Sequence, residues 1–269
     1  MRTSEFHQSN RQAWNEGAAR YREWIDDDIV FLRAGGIGLE PPELRYLVDL
    51  KSWCKRAIHL QCAGGKDTLS LWNHGAHEVI GVDISEVMID CARQKSEALN
   101  APARWIHSDI LLTPHDLDGT ADLVYTGKGA ICWIMDIEAW ADVVARLLVP
   151  GGMLYLFEGH PILDCMDLEA SEFRLDSVYG NYFSQEAFES KGWSSEYIGE
   201  LEKPASEQTP KYEKIWPVGR AVTTLISTGL RIEALEEHPE PFWGGMSKMD
   251  LEYKKRLPNT YSVVARKPL

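Results

Sequence analysis

The chain has 269 residues, 44% hydrophobic and 26% charged, enough apolar material for a sizeable core in one large domain or in a domain carrying an insertion. Its 28 basic and 41 acidic side chains give a formal net charge of -13, which repels a polyphosphate backbone, and no concentrated basic patch offsets it. These numbers turn the expectation away from nucleic acid. The opening MRTSEFHQSNRQAWNEG lacks the apolar stretch of a signal peptide, and no apolar run reaches the roughly 20 residues that cross a bilayer, so a cytoplasmic protein is expected. Cys54, Cys62, Cys91, Cys132 and Cys165 are odd in number and include no CxxC pair, which favours small core hydrophobes over disulfides or a structural zinc site.

Residues 1–55 read as a helical extension or lid, interrupted by AGGIGLEPPE at 34–43, where glycines and prolines stop a helix. One flanking segment carries Trp14, Tyr21 and Trp24 at spacings compatible with one helical face; the other carries Leu44, Leu47, Val48 and Leu50. From residue 57 strands and helices alternate. A strand at 57–62 is followed by the turn Ala63-Gly64-Gly65 and a helix at 67–74, then a strand at 79–83 and a helix capped by Ser85. That helix turns Met88, Cys91, Ala92, Leu99 and the stem of Lys95 inward. Strands ending at 106–109 and spanning 121–125 follow, then a helix with Trp140, Val143, Val144 and Leu147, a turn at 150–152 and a strand at 153–157. Strands linked through helices in this rhythm specify a parallel sheet covered on both faces by right-handed crossovers.

The rhythm stops at about 159–217, a stretch of aromatics among polar residues that reads as a cover over the substrate, inserted into a domain spanning 56–269. A helix at 218–228 and strands at 230–235 and 261–266 complete the core.

In an open α/β sheet the ligand crevice lies beyond the carboxyl ends of the strands, and the first strand-turn-helix forms part of it. Gly64 and Gly65 admit close approach of a ligand to the backbone, and Asp83, ending the second strand, suits both hydroxyls of a ribose. The turn reads QCAGGKDT and lacks GxGxxG; Asp67 behind it disfavours a pyrophosphate and favours an α-amino group. Asp109 and the Ile110 amide suit the edge of an adenine. The ligand thus expected has an amino-acid end and an adenosine end.

The segment HLQCAGGKDTLSLWNHGAHEVIGVDISEVMIDCAR resembles the cofactor-binding region of class I S-adenosylmethionine-dependent methyltransferases, in their bacterial small-molecule branch. HSDILLTP, DLVYTGKGAICWIMD, ARLLVPGGMLYLFEGHP and YSVVARKP sit where that family places its later motifs. The resemblance implies a three-layer, Rossmann-like α/β methyltransferase fold with a mostly parallel seven-stranded sheet and an antiparallel last strand at 260–266. It also implies Ala63 and Gly65 at the methionine part of S-adenosylmethionine, Asp83 at the ribose, Ile84 on the adenine, and Asp109 with Ile110 at its edge. Lys128 and Gly129 would lie beside the sulfonium, and Asp67, Thr68 and Met88 complete the expected cofactor set; the product would be S-adenosylhomocysteine. Ala63 departs from the family's glycine.

Methyl transfer is an in-line displacement that alignment and water exclusion can drive. Where the acceptor needs a base, His160 after the fifth strand is the candidate, with Glu158 to orient it or take the proton. Trp14, Tyr21, Trp24, Trp133, Tyr182 and Trp216 are candidates for a substrate pocket, and an aromatic roof favours a flat or hydrophobic acceptor. The acceptor atom, oxygen, nitrogen or carbon, is left open, as is the choice between monomer and homodimer. No metal is expected. Two alternatives stand beside methyl transfer to a small metabolite: a nicotinamide-dependent oxidoreductase on a similar fold, and an accessory protein that binds S-adenosylmethionine without catalysis.

Overall fold

The computed structural model describes residues 2–167, 169–193, 198–243 and 246–269. Four helices come first: α1 (Thr3–Glu23), α2 (Ile25–Arg33), α3 (Pro41–Tyr46) and α4 (Leu50–Trp53). The expected break at 34–43 is shorter than the sequence suggested. Pro41 opens α3, because a proline at the first helical position loses no hydrogen bond and arrives with its φ already helical.

The alternating region follows as β1 (Arg56–Leu60), α5 (Lys66–Asn73), β2 (Glu78–Asp83), α6 (Glu86–Leu99), β3 (Ala103–His107), β4 (Ala121–Gly127), α7 (Ile137–Leu147) and β5 (Leu148–Gly159). β3 ends before Asp109, which caps a 3-10 turn at Ile110–Leu112. The turn expected at 150–152 lies inside β5 as an irregularity: pairing with β4 passes from Ala121↔Leu148 directly to Leu123↔Met153. The insertion contributes two short antiparallel strands, β6 (Phe188–Ser190) and β7 (Lys211–Glu213). α8 (Val218–Ser227), β8 (Arg231–His238), α9 (Leu251–Lys254) and β9 (Thr260–Arg266) close the chain.

Seven strands form one sheet in the order β3-β2-β1-β4-β5-β9-β8. β9 is antiparallel to both of its neighbours and the other strands run parallel, as expected for this Rossmann-like α/β fold. Side-chain alternation divides the sheet between two cores. On one face Ile58, Ile80, Val124, Leu154 and Val263 pack against Trp140, Val144 and Leu147 of α7 and Leu225 of α8. On the other, Ala57, Val79, Leu123, Tyr155 and Val264 meet Leu47, Leu50 and Leu71 from the N-terminal segment and α5. Strand order reverses between β1 and β4, so the crevice at their carboxyl ends is where a ligand belongs. Among the described residues, no helix is long and apolar enough to cross a membrane.

Trp105 of β3 stacks over this edge of the sheet and leaves no room at Gly81, where a Cβ would lie 2.4 Å from Trp105 Cζ3 and 2.7 Å from Cys62 Sγ. Gly81→Ala is therefore expected to cost about 1–3 kcal/mol through overpacking, read as a lower midpoint in urea unfolding.

Candidate functional site

A cavity of about 670 Å3 lies over the carboxyl ends of β1 to β4, within the range of small-molecule sites. Ala63, Gly65, Asp67, Asp83, Ile84, Met88, Asp109, Ile110, Lys128 and Gly129 all line it. Of the residues expected at a cofactor, Thr68 alone stands back: it is buried, with its Oγ1 2.8 Å from His59 Nδ1.

The turn after β1 is held in left-handed backbone at Gln61 (φ 59°), Ala63 (φ 44°) and Gly65 (φ 79°). Gly65 is required on two counts, its φ and the 2.6 Å at which a Cβ would meet Ala92 and Trp105. Ala63 carries its β-carbon in this conformation, a strain the turn absorbs by bonding. Its amide donates to Asp83 Oδ2 at 2.8 Å, while the Ser85 amide donates to Oδ1 at 2.8 Å. Burial nevertheless raises the Asp83 carboxyl to about 6. Gln61 donates through Nε2 to the Ala130 carbonyl, and its buried Oε1, in the lining of the same cavity, has no protein partner.

Lys95 does more than pack its stem. Its ammonium, 1% exposed, donates to the Gly64 carbonyl at 2.8 Å and to Asp28 Oδ2 of α2 at 2.7 Å, and Lys66 bonds the other oxygen of Asp28 at 2.8 Å. Lys128, at φ 60°, is likewise tied down, with Nζ 2.7 Å from the Gly38 carbonyl, 3.1 Å from Asp67 and 3.4 Å from Glu43. Asp109 is shared. Oδ1 accepts from the Leu111 amide, and Oδ2 meets His7 Nδ1 of α1 at 2.7 Å. Because His7 Nε2 accepts from the Met135 amide, Nδ1 is the protonated nitrogen and donates to Asp109.

The N-terminal extension and the insertion form one cover. Asn10 exchanges two hydrogen bonds with the backbone of Tyr212, Glu16 accepts from the amide and hydroxyl of Thr209, and Trp193 Nε1 donates to the Ala13 carbonyl. Asn15 and Arg11 fasten the same helix to Ser85 and Glu86. Beneath it Trp14 packs on Trp193 and Trp133 at 4.5 and 5.3 Å between ring centres.

A second cavity, about 310 Å3, shares Lys128, Gly129, Trp133, Phe242 and Trp243 with the first. The residues expected at a substrate divide between the two cavities and the structure outside them. Trp14, Tyr21 and Trp24 line the larger cavity, over the glycine turn, instead of the smaller one. Trp133 lines both, Trp216 lines the smaller, and Tyr182 lines neither, its hydroxyl accepting from the Val218 amide. Phe242, which the sequence reading missed, arrives on the loop between β8 and β9.

His160 and Glu158 do not form the expected pair. His160 lies outside the lining of both cavities; its Nδ1 accepts from the Ile162 amide and its Nε2 donates to Glu237 at 3.1 Å. β5 ends at Gly159, so the strand alternation that would place the two side chains together stops one residue short. Glu158 is buried and accepts from the amides of Gly129, Ala130 and Ile131 at 2.8–3.1 Å, while burial lifts its carboxyl to about 7. It shapes the loop after β4. Glu158→Ala, which leaves three buried amides without an acceptor, is expected to lose about 3 kcal/mol or more in chemical unfolding, with Glu158→Gln losing less.

Comparison with known proteins agrees with this geometry. Residues 57–152 match the family described as methyltransferase domain. Demethylmenaquinone methyltransferase of Thermus thermophilus is 32% identical over 108 residues, 40% of this chain and 48% of that protein. The chain thus spans about half the length of the curated relatives it matches. Among solved structures, S-adenosylmethionine-dependent methyltransferases from Methanosarcina mazei (TM-score 0.59, 18% identity, 86% of this chain and 99% of that one) and Mesorhizobium loti (TM-score 0.55, 21% identity, 84% and 96%) share the fold. Residues 57–152 thus match a methyltransferase domain, and the seven-stranded sheet that this segment begins has the fold of the S-adenosylmethionine-dependent methyltransferases to which the chain is similar.

Proposed function

We propose that the protein transfers a methyl group from S-adenosylmethionine to a small, aromatic or otherwise apolar molecule, in a cytoplasmic setting that suits its five unpaired cysteines. The observation that carries this reading is Asp83: a buried carboxylate at the end of β2, bonded to the glycine turn and facing a cavity that also holds Ile84, Asp109 and Ile110. The residues fit the cofactor. Asp83 would accept from the ribose hydroxyls, Ile84 and Ile110 would lie against the adenine, and Asp109 with the Ile110 amide would read its edge. Gln61 Oε1 offers a buried acceptor that the protein leaves unused. Ala63, Gly65 and Asp67 border the methionine end, where Lys128 is neutralised by Asp67 and Glu43 and adds little net charge beside a sulfonium. Met88 packs beneath. Thr68 acts at one remove by holding His59.

When bound, S-adenosylmethionine supplies an electrophilic methyl on a good leaving group. The chain's own residues align and enclose. Gly129 and Trp133, common to both cavities, form the boundary across which the reacting atoms meet. α1 and the β6-β7 hairpin exclude water from it. Neither His160 nor Glu158 is free to serve as a base, which favours rate enhancement by positioning. The acceptor is taken to lie in the smaller cavity, among Trp133, Trp193, Trp216, Phe242 and Trp243.

Calorimetric titration with S-adenosylmethionine, S-adenosylhomocysteine and NAD tests the reading. Binding of the first two and not the third is expected, followed by methyl transfer in an acceptor screen. NAD binding alone would reinstate the oxidoreductase, and cofactor binding with no transfer to any acceptor would favour the accessory protein. The ribose hydroxyls donate to the ionised form of Asp83, whose free-protein value is about 6. Affinity is therefore highest above pH 6 and falls below it, approaching tenfold per unit. Asp83→Asn is expected to weaken binding about ten- to a hundredfold at pH 7.5 and to flatten that acid limb.

A further inference from the structure

Three acids, Glu158, Asp164 and Glu213, and three lysines, Lys128, Lys211 and Lys214, line the smaller cavity, and they differ in how far the protein has already bonded them. Asp164, from the 3-10 turn after β5, and Glu213, of β7, both line it. Among the described residues no hydrogen bond or ion pair reaches the Asp164 carboxylate. Asp164 is solvent-exposed, and the charges that act on it are those of Glu213 and Glu158. Glu213 is shifted upward by burial, with Lys211 and a Ser190 hydrogen bond opposing. Independently of the acids, Tyr261 of β9 lines the same cavity with its side chain fully buried and its hydroxyl without a protein partner. A buried hydroxyl left unbonded is costly, and a ligand that bonds it recovers that cost.

Of the donors that would suit an anion, the loop amides and Lys211 are already engaged. The amides of residues 129–131 are taken by Glu158. Lys211 Nζ donates to Ser190 Oγ and the Gly192 carbonyl at 2.7 and 2.6 Å and lies 5.2 Å from the centre of the Trp193 ring. Lys214 Nζ sits 4.3 Å from the centre of the Trp216 ring. What is left without a hydrogen bond among the described residues is the Asp164 carboxylate, the Tyr261 hydroxyl and the Lys214 ammonium, the last held over the Trp216 indole.

We propose that the smaller cavity selects a small molecule carrying a protonated amine on an aromatic or apolar body, with Asp164 and Glu213 holding the ammonium, Tyr261 Oη bonding beside it, and the tryptophans enclosing the body. An ammonium brings three donors and a positive charge to two carboxylates that otherwise repel each other, and the indole faces add to the attraction. The inference rests on the reading that the larger cavity takes the cofactor and the smaller one the acceptor.

The test is calorimetry on the full chain saturated with S-adenosylhomocysteine, using two matched sets of probes: tryptamine, tryptophol and indole-3-propionate, and 2-phenylethylamine, 2-phenylethanol and 3-phenylpropionate. In at least one set the amine is expected to bind about tenfold or more tightly than its alcohol and carboxylate. Asp164→Asn and Glu213→Gln should each erode that preference by about tenfold while leaving S-adenosylhomocysteine affinity unchanged, which also reports that each variant is folded. Amines that bind no better than the alcohols, a preference that survives in the double variant, or no binding of any probe would overturn the proposal. Failure of S-adenosylhomocysteine to bind would instead strike the cofactor reading, and the same panel on the ligand-free protein would still read the amine preference.

Discussion

A buried ammonium organises the ligand-binding edge of this protein. Lys95 projects from α6 into a space without bulk water, where it is matched by Asp28 of α2 and the carbonyl of Gly64. Such a group is tolerable inside a protein only when its charge is balanced and its protons are bonded, and removing one partner of a buried pair costs about 3–5 kcal/mol. Three separate pieces of chain, the extension, the turn after β1 and the helix after β2, are thereby fixed to a common point. The turn can then hold left-handed backbone at Gln61, Ala63 and Gly65, and Asp83 can bridge it to the end of the next strand. The larger cavity follows from that geometry.

The second loop of the site is built on the opposite charge. Glu158 gathers the amides of Gly129, Ala130 and Ile131, so a carboxylate shapes the loop after β4 much as an ammonium braces the turn after β1. Both devices bury an ion to dictate backbone shape. Each relieves the loop of any need for regular secondary structure while keeping its polar groups bonded. The two loops face one another across Gly129 and Trp133, and there the two cavities join.

What the sequence revealed of this arrangement was what short stretches of chain dictate. The alternation of strand and helix is a local pattern, and it located the sheet and the glycine turn. Asp83, the last residue of β2, and Asp109, two residues beyond β3, were legible as residues of the crevice because an open α/β sheet places its ligand at the carboxyl ends of its strands. His7 was not, since nothing near residue 7 announces that α1 will cross to Asp109. Lys95 was visible only as a lysine on an apolar helical face, a signal that fits a buried ion as well as a buried stem. Asp164, Glu213 and Tyr261 come from a 3-10 turn, an inserted strand and the last strand, and only the folded chain brings them together. The separation of His160 from Glu158 has a local cause: two residues apart share a side only while the strand continues, and β5 ends between them. Tyr182 was one of many aromatics in the insertion, and spacing alone could not separate a wall of the cavity from a support outside it.

The cover is joined by hydrogen bonds between residues far apart in sequence, 180 positions for Ala13 and Trp193 and 202 for Asn10 and Tyr212. Closing a loop of that length has an entropic cost that no local contact offsets in advance. The sheet brings both ends to the same edge, where these contacts form. The contacts of the cover are hydrogen bonds and ring faces, which depend on geometry more than the apolar packing of the two cores does. The contacts that complete the binding site therefore lie outside the two cores, and the cores do not depend on them.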